Sequence, residues 1–399
     1  MNSSVWISGV GMISAIGNNI AECLQALETG RSGIGPITKI DTVHHSEFPV
    51  GEVKQGNREL ADLTNLSPYI SRTALLSLMA AKEAINDAAI ENFSSLRTGF
   101  ISANSVGGMD KSENFFSEFL TDQQKGLLRN VVNHECGKIT EIVADQLGIT
   151  HYICTISTAC SSSANSIFFA ARMIKNNLLD VAIAGGADAL TKFTLNGFNT
   201  LMILDNEPCR PFDENRKGLN LGEGAGYIVL VSERVAKSLK KNPYCRLSGY
   251  CNANDAYHQT ASSPEGTGSF LAMQGALKKS GLLPSEIDYI NLHGTGTQNN
   301  DISEGTAIQR LFSPSFPKMS STKSFTGHTL GASGGIEAVL SVLSVKLGII
   351  YPNLRFNTSM KELAFVPETK FLKNLSLKHV LSNSFGFGGN CTSLIFSKS

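Results

Sequence analysis

Two stretches of this chain open alike and close alike. VWISGVGMIS near residue 5 is matched by CRLSGYCNAN near residue 245. GEGAGYIVLVSE (222 to 233) is matched by GFGGNCTSLIFSKS (386 to 399), each a glycine pair feeding an apolar run that ends in serine. A chain written twice folds as two similar units, and this limits its architecture more than any single motif does. Between opener and closer, helix-period windows such as SRTALLSLMAAKEAINDAA and GSFLAMQGALKKSGL alternate with short β-rich runs such as DVAIAGGAD and IDYINLHG. That alternation predicts a layered α/β architecture with sheets buried between helices. The polar segment AKSLKKNPY (236 to 244) marks the expected junction, so that residues 1–240 form one half and 241–399 the other. An ordinary surface loop has the same composition.

The 399 residues, 42% hydrophobic and 17% charged, suffice for a sizeable core. Lys+Arg and Asp+Glu balance at 34 each, which predicts no nucleic-acid partner and no membrane-surface role. The eight cysteines (Cys23, Cys136, Cys154, Cys160, Cys209, Cys245, Cys251 and Cys391) show no CxxC spacing. This argues against a metal site and for a reducing, cytoplasmic compartment. MNSSVWISGVGMISAIG has no basic residue before Arg31 and is broken by glycine, so it does not read as a signal peptide. No apolar run is expected to reach membrane-spanning length.

Cys160 ends an apolar β-like run (YICTISTAC) and precedes a small-residue helix (SSSANSIFFAARMIK). A strand-to-helix turn exposes a side chain at the end of a sheet, and the unpaired N–H groups of the helix start stabilise negative charge there, as a nucleophilic thiolate requires. A buried structural cysteine is the plain alternative, since free cysteine is among the most buried residue types. Two histidines in glycine-rich turns, His293 in NLHGTGT and His328 in KSFTGHTLGASGG, weigh against it. The same glycines suggest a phosphate cradle, but neither turn matches GxxxxGK[ST], and no GxGxxG follows an N-terminal strand. Glu337 lies on the apolar helix GGIEAVLSVLSVKLG, and a carboxylate on a buried helix needs a partner.

STACSSS, LHGTGT, STKSFTGHTLGASGGIEA and NSFGFGG, in this order and across nearly the whole chain, resemble the β-ketoacyl-acyl carrier protein synthases of the elongating, Cys-His-His type. The resemblance implies a thiolase-like fold, two duplicated α/β halves in a five-layer αβαβα sandwich. The family is usually homodimeric, with a heterodimer with a related subunit possible. It implies an acyltransferase performing a decarboxylative Claisen condensation with malonyl-acyl carrier protein in fatty acid biosynthesis. Cys160 would take the acyl group, and His293 and His328 would offer neutral donors to the enolate. No resident cofactor is implied, because phosphopantetheine arrives on the acyl carrier protein.

By the same resemblance, Thr295 and Thr297 hold the pantetheine arm and Thr260 adds a contact. Lys323 bonds Glu337 and tunes the region of His328. Phe387 swings to admit the acyl chain, and its N–H joins that of Cys160 in an oxyanion hole. Phe385 and Gly388 of the same turn lie on the substrate path. Val106 in ISANSVGGMD lies deep in the acyl pocket near the dimer partner, and His134 in VVNHECG stands where an apolar pocket residue is expected. GFGGNC departs from the family's usual ending: Cys391 replaces asparagine, whose hydrogen bond is lost or comes from Asn390. The segment TLNGFNTLMILDNEP looks short, which bears on the acyl-pocket lining. Arg210 is a candidate for docking the acidic carrier.

Other classes fit less well. A papain-like protease spaces cysteine and histidine similarly but needs CGxCW at the nucleophile, and the sole Trp6 is remote from Cys160. A thiolase or an initiating synthase would show a second catalytic cysteine, or asparagine in place of His328. A non-catalytic chain-length partner of the same fold typically lacks the nucleophile. A dedicated polyene or polyketide pathway stays open beside fatty-acid elongation.

Overall fold

The computed structural model describes residues 4–90 and 93–398. The first three residues of the N-terminal stretch and Ser399 of the second closer lie outside the described residues. Ten strands form the main sheet: β1 (Val5–Ser14), β2 (Thr98–Ala103), β3 (Tyr152–Ile156), β4 (Val181–Asp188), β5 (Gly224–Ser232), β6 (Cys245–Asn254), β7 (Tyr289–Asn291), β8 (Lys318–Ser320), β9 (His379–Phe385) and β10 (Asn390–Ser397). The two openers coincide with β1 and β6, and the two closers run into β5 and β10.

The strand order β8-β7-β9-β10-β6-β1-β5-β4-β2-β3 makes the duplication physical. Outward from β1 lie its closer β5, then β4, β2 and β3; outward from β6 lie its closer β10, then β9, β7 and β8. Pairing sense repeats as well. Opener and closer are antiparallel in both halves, and the outer three strands of each half are parallel to one another. The two halves are expected to carry separate sheets. Instead they are joined through a short pairing of β1 with β6, Trp6 with Arg246 and Ile7 with Cys245.

The helices that position the site are α1 (Arg72–Ala88), α2 (Met109–Thr121), α3 (Cys136–Leu147), α4 (Ser162–Lys175), α5 (Lys192–Thr200), α6 (Thr267–Ser280), α7 (Gln298–Phe312) and α8 (Ser333–Leu347). α1 and α3 cover one outer face, and α6 with α7 covers the other. α4 and α8 pack on each other and on strands of both halves, which makes them the central layer of five. From Ser333 to Val345 every residue of α8 is buried, and each buried Val, Leu or Ile there contributes roughly 1.5–3 kcal/mol.

Small residues let this layer close. A Cβ on Gly334 would lie 2.8 Å from the Cβ of Ala164, and one on Gly226 would lie 2.4 Å from Ile336 N, so the backbones of α4, α8 and β5 approach as only glycine permits. The Gly335 N–H donates to Ser163 Oγ at 2.7 Å, fixing α8 against the start of α4. This central layer corrects one expectation. Leu330–Leu347 is apolar and long enough to cross a membrane by length and composition, yet 89% of it is buried inside the fold.

Candidate active site

Cys160 stands in the turn between β3 and α4, as its sequence context requires. Ala159, just before it, has φ 51°, a left-handed conformation that costs energy outside glycine. The turn holds this shape because Ser162 Oγ donates to Ala159 O at 2.5 Å and accepts from Thr158 N–H at 2.8 Å. His293 follows β7, and His328 sits in the turn before α8. The His328 N–H donates to Asn220 O at 2.7 Å, and its carbonyl accepts from the Gly222 N–H at 2.9 Å.

The fold brings the three residues together from both halves. His328 Nε2 lies 3.1 Å from Cys160 Sγ. The two imidazoles meet edge to face, with centroids 5.4 Å apart, and the Phe385 ring is 5.9 Å from His293. Lys323, 1% exposed, reaches Glu337 by a direct ion pair. Its Nζ also donates to His293 O at 2.5 Å and lies 3.2 Å from His293 Nδ1. Glu304, which sequence reasoning passed over, accepts the N–H groups of His293 and Gly294 at 2.9 and 2.8 Å and so fixes the LHGTGT turn.

Burial sets the protonation states. It pushes the Cys160 thiol up to about 11, against the pull of the Lys323 ammonium and of the backbone N–H groups of Phe387 and Cys160 itself. The resting nucleophile is therefore a thiol, not the thiolate that the helix start alone suggests. Burial holds both histidines well below the ordinary 6.5, and the nearby Lys323 charge adds to the effect. Each is a neutral imidazole at neutral pH. Below pH 6.5 the unfolded chain binds two protons that the folded chain refuses, so stability falls as pH falls, by up to about 1.4 kcal/mol per histidine per pH unit. His328→Gln removes one of these protons, and chemical denaturation between pH 5 and 6.5 is expected to show a shallower slope for it than for the wild type.

Donor atoms of Cys160, His293 and His328 lie within 4.8 Å of one another, a set that in number and type suits a soft divalent cation. Zinc needs a thiolate and tolerates little positive charge beside it. The raised thiol and the Lys323 ammonium next to His293 both oppose it.

The three residues line a cavity of about 480 Å³. Thr260, Thr295, Thr297, Phe385 and Phe387 line it as the sequence reading expects. Thr295 and Thr297 hydroxyls are 2.9 Å apart, and Thr260 is an exposed residue of the wall. Phe198 of α5 stacks on Phe387 with centroids 5.7 Å apart, and Leu201, Met202 and Ile203 continue the wall. These four belong to the segment singled out as short, but nothing in its residue pattern distinguishes a wall residue from a surface one.

Three expected substrate contacts are corrected. Val106 is not itself on the cavity wall; it packs behind it, in the apolar cluster that holds the wall residues Phe198, Ile203 and Leu219. His134 is exposed, with Nδ1 2.8 Å from Ser112 Oγ, because the helix–turn segment that carries it lies on the surface of this chain. Gly388 is not among the residues that line the cavity; its φ is 75° and its N–H donates to Gln259 O at 2.7 Å. It shapes the loop rather than touching what the cavity holds. Arg210 pairs with Glu207.

Asn390, next to Cys391, is fully engaged at its side-chain oxygen. Its Oδ1 accepts from Ser161 Oγ at 2.7 Å, Asn165 Nδ2 at 2.8 Å and Asn252 Nδ2 at 2.7 Å, tying the nucleophile helix to β6 and β10. Cys391 is buried, 3.9 Å from Ser269 Oγ.

The chain resembles known proteins along its whole length. Residues 2–236 match the family model "Beta-ketoacyl synthase, N-terminal domain" and residues 244–357 match "Beta-ketoacyl synthase, C-terminal domain". The chain is 34% identical over 410 residues to 3-oxoacyl-[acyl-carrier-protein] synthase 2 of Staphylococcus aureus (strain N315), covering 100% of this chain and 99% of the relative. It is 33% identical over 418 residues to the protein of that name in Coxiella burnetii, covering 99% and 98%. Among solved structures it is similar to the ishigamide ketosynthase/chain length factor, with TM-score 0.93, 28% identity and 100% of both chains covered. It is also similar to the ketosynthase ApeO in complex with its chain length factor ApeC from Xenorhabdus doucetiae, with TM-score 0.86, 32% identity, and 100% and 98% covered.

Proposed function

Because the chain belongs to the beta-ketoacyl synthase family, we propose that it is a 3-oxoacyl-acyl carrier protein synthase that extends acyl chains in fatty acid biosynthesis. The observation that carries this reading is the meeting of Cys160, His293 and His328 on one cavity wall. In the first half-reaction Cys160 attacks a carrier-bound thioester; the thiol proton ends on the departing carrier sulfur and the acyl group on Sγ. Backbone N–H groups of Cys160 and Phe387 stabilise the oxyanion between these states. In the second, malonyl-acyl carrier protein loses carbon dioxide and the resulting enolate accepts hydrogen bonds from the histidines. Its carbon then attacks the acyl thioester, and Cys160 leaves and takes up a proton.

The carrier's phosphopantetheine arm would lie along Thr295 and Thr297, with Thr260 at the wall beside it, so the protein itself needs no resident cofactor. Lys323 and Glu337 orient His293 rather than attack. Phe387 must unstack from Phe198 to admit a long chain. Residues 1–240 and 241–399 act as two halves, each giving part of the site. A homodimer fits the edge strand β3, where Ile153 is 38% exposed, and eight free cysteines suit the cytoplasm.

A ketosynthase of a dedicated polyene or polyketide pathway is the second reading. The two similar structures above, both ketosynthases with chain length factors, favour it. A non-catalytic chain-length role does not suit a chain that keeps its nucleophile and both histidines together. The test is turnover with acyl and malonyl carriers, read by mass spectrometry over graded chain length and unsaturation. A β-ketoacyl carrier product with carbon dioxide release is expected, and a strict preference for saturated chains places the protein in ordinary elongation. Ile203→Trp, which fills the wall, is expected to lower turnover of long chains about tenfold or more while sparing short ones; an unchanged length profile removes Ile203 from the acyl path.

A further inference from the structure

Thr329, Ser333, His328 and Cys160 form one buried line of polar atoms. Thr329 Oγ1 lies 3.2 Å from Ser333 Oγ, Ser333 Oγ 2.9 Å from His328 Nδ1, and His328 Nε2 3.1 Å from Cys160 Sγ. All four residues are buried. Among the described residues no carboxylate bonds to His328: Glu337 is taken by Lys323, and Glu304 by the backbone of His293 and Gly294.

A neutral imidazole carries one ring proton, and the partner of one nitrogen decides whether the other holds it. A carboxylate at Nδ1 would keep the proton there, and a backbone N–H at Nδ1 would send it to Nε2. A hydroxyl enforces neither, because it donates or accepts as its rotor turns. The two half-reactions ask for opposite arrangements: a thiol with a proton to give needs Nε2 bare, and an enolate needs Nε2–H.

We propose that Ser333, backed by Thr329, is a reversible positioning residue: it lets His328 keep its ring proton on Nδ1 while Cys160 is a free thiol, and on Nε2 once the sulfur is acylated. In the free enzyme the thiol donates to Nε2, Nδ1–H donates to Ser333 Oγ, and the Ser333 hydroxyl donates to Thr329. In the acyl-enzyme the line reverses. Thr329 donates to Ser333, Ser333 donates to Nδ1, and Nε2–H faces the cavity where the enolate oxygen forms. The ring is neutral in both states. It exchanges one proton with solvent between them, while the thiol proton has gone with the carrier sulfur. The use of the two states rests on the condensing reading; their existence does not.

The experiment is ¹⁵N NMR of full-length protein labelled at histidine, with the His328 signals assigned by His328→Gln. Spectra are taken before and after alkylation of Cys160 by iodoacetamide, with Cys160→Ala treated identically to account for the other cysteines. The expected result is an Nδ1–H pattern in the free protein and an Nε2–H pattern after alkylation. Ser333→Ala is expected to lose the distinction and to slow malonyl decarboxylation about tenfold, as for the loss of one hydrogen bond at the reacting group. Ser333→Thr is expected to restore both. One unchanged tautomer before and after alkylation overturns the proposal, and so does a Ser333→Ala protein that switches as the wild type does. If Ser333→Ala fails to fold, the wild-type comparison decides alone. A protein that switches on alkylation but takes no acyl group from a carrier supports the hydroxyl line and overturns the condensing reading; one that condenses without switching overturns the hydroxyl line only.

Discussion

Cys160→Ala is expected to abolish acyl-enzyme formation and lower condensation by at least about 10³-fold, because in the proposed reaction the removed sulfur carries the acyl group. The fold should survive. The turn is held by Ser162, Thr158 and the Asn390 network rather than by the thiol, and trimming one buried sulfur costs on the order of 1 kcal/mol. Malonyl decarboxylation should persist in part, since both histidines and the Phe387 N–H remain. Intact-protein mass spectrometry after incubation with an acyl carrier thioester measures the adduct. A covalent acyl group on the alanine variant, at wild-type yield, would sink the nucleophile assignment.

The second large effect is expected at the histidines. His293→Ala and His328→Ala each remove a neutral donor from a dry, preorganised site, and loss of one such donor typically lowers a rate by about 10²–10³-fold. Carbon dioxide release from malonyl carrier should fall by that amount. Acyl transfer should fall less, and less for His293 than for His328, which alone touches Sγ. Lys323→Ala should weaken the same step by loosening His293, and should also cost stability. It strands Glu337, whose carboxyl burial already pushes up to about 7 against the pull of Lys323, and breaking a buried pair costs roughly 3–5 kcal/mol. Variants that release carbon dioxide normally while acylating poorly would reverse the roles.

The two openers and two closers in the sequence became the four central strands, because strand content and glycine placement are local properties that backbone sterics read directly. The order of the four motifs likewise pointed, by its resemblance to the family, to Cys160, His293, Lys323, His328 and Phe387. Even the membrane-length helix was legible as apolar. Hydropathy cannot tell lipid from a protein core, and only the packing of α8 against α4 and β5 decided it.

The misplaced residues share a different cause. Val106, His134 and Gly388 are near the right loops, but whether a side chain faces a cavity, a cluster or solvent depends on elements distant in sequence. Phe198 closes the cavity only because α5 is set against the 386–390 turn. The state of the thiol is likewise a tertiary quantity: the helix start is local and favours charge, while burial from both halves outweighs it and keeps the proton on sulfur. The sequence by itself determined the doubled α/β plan, through strand content and residue type, and its motifs, through their resemblance to a family, named the residues to expect at the site. Only the tertiary structure decided the cavity wall, the protonation of Cys160, His293 and His328, and the Ser333 contact, because distance and desolvation arise when segments far apart in the chain are packed together.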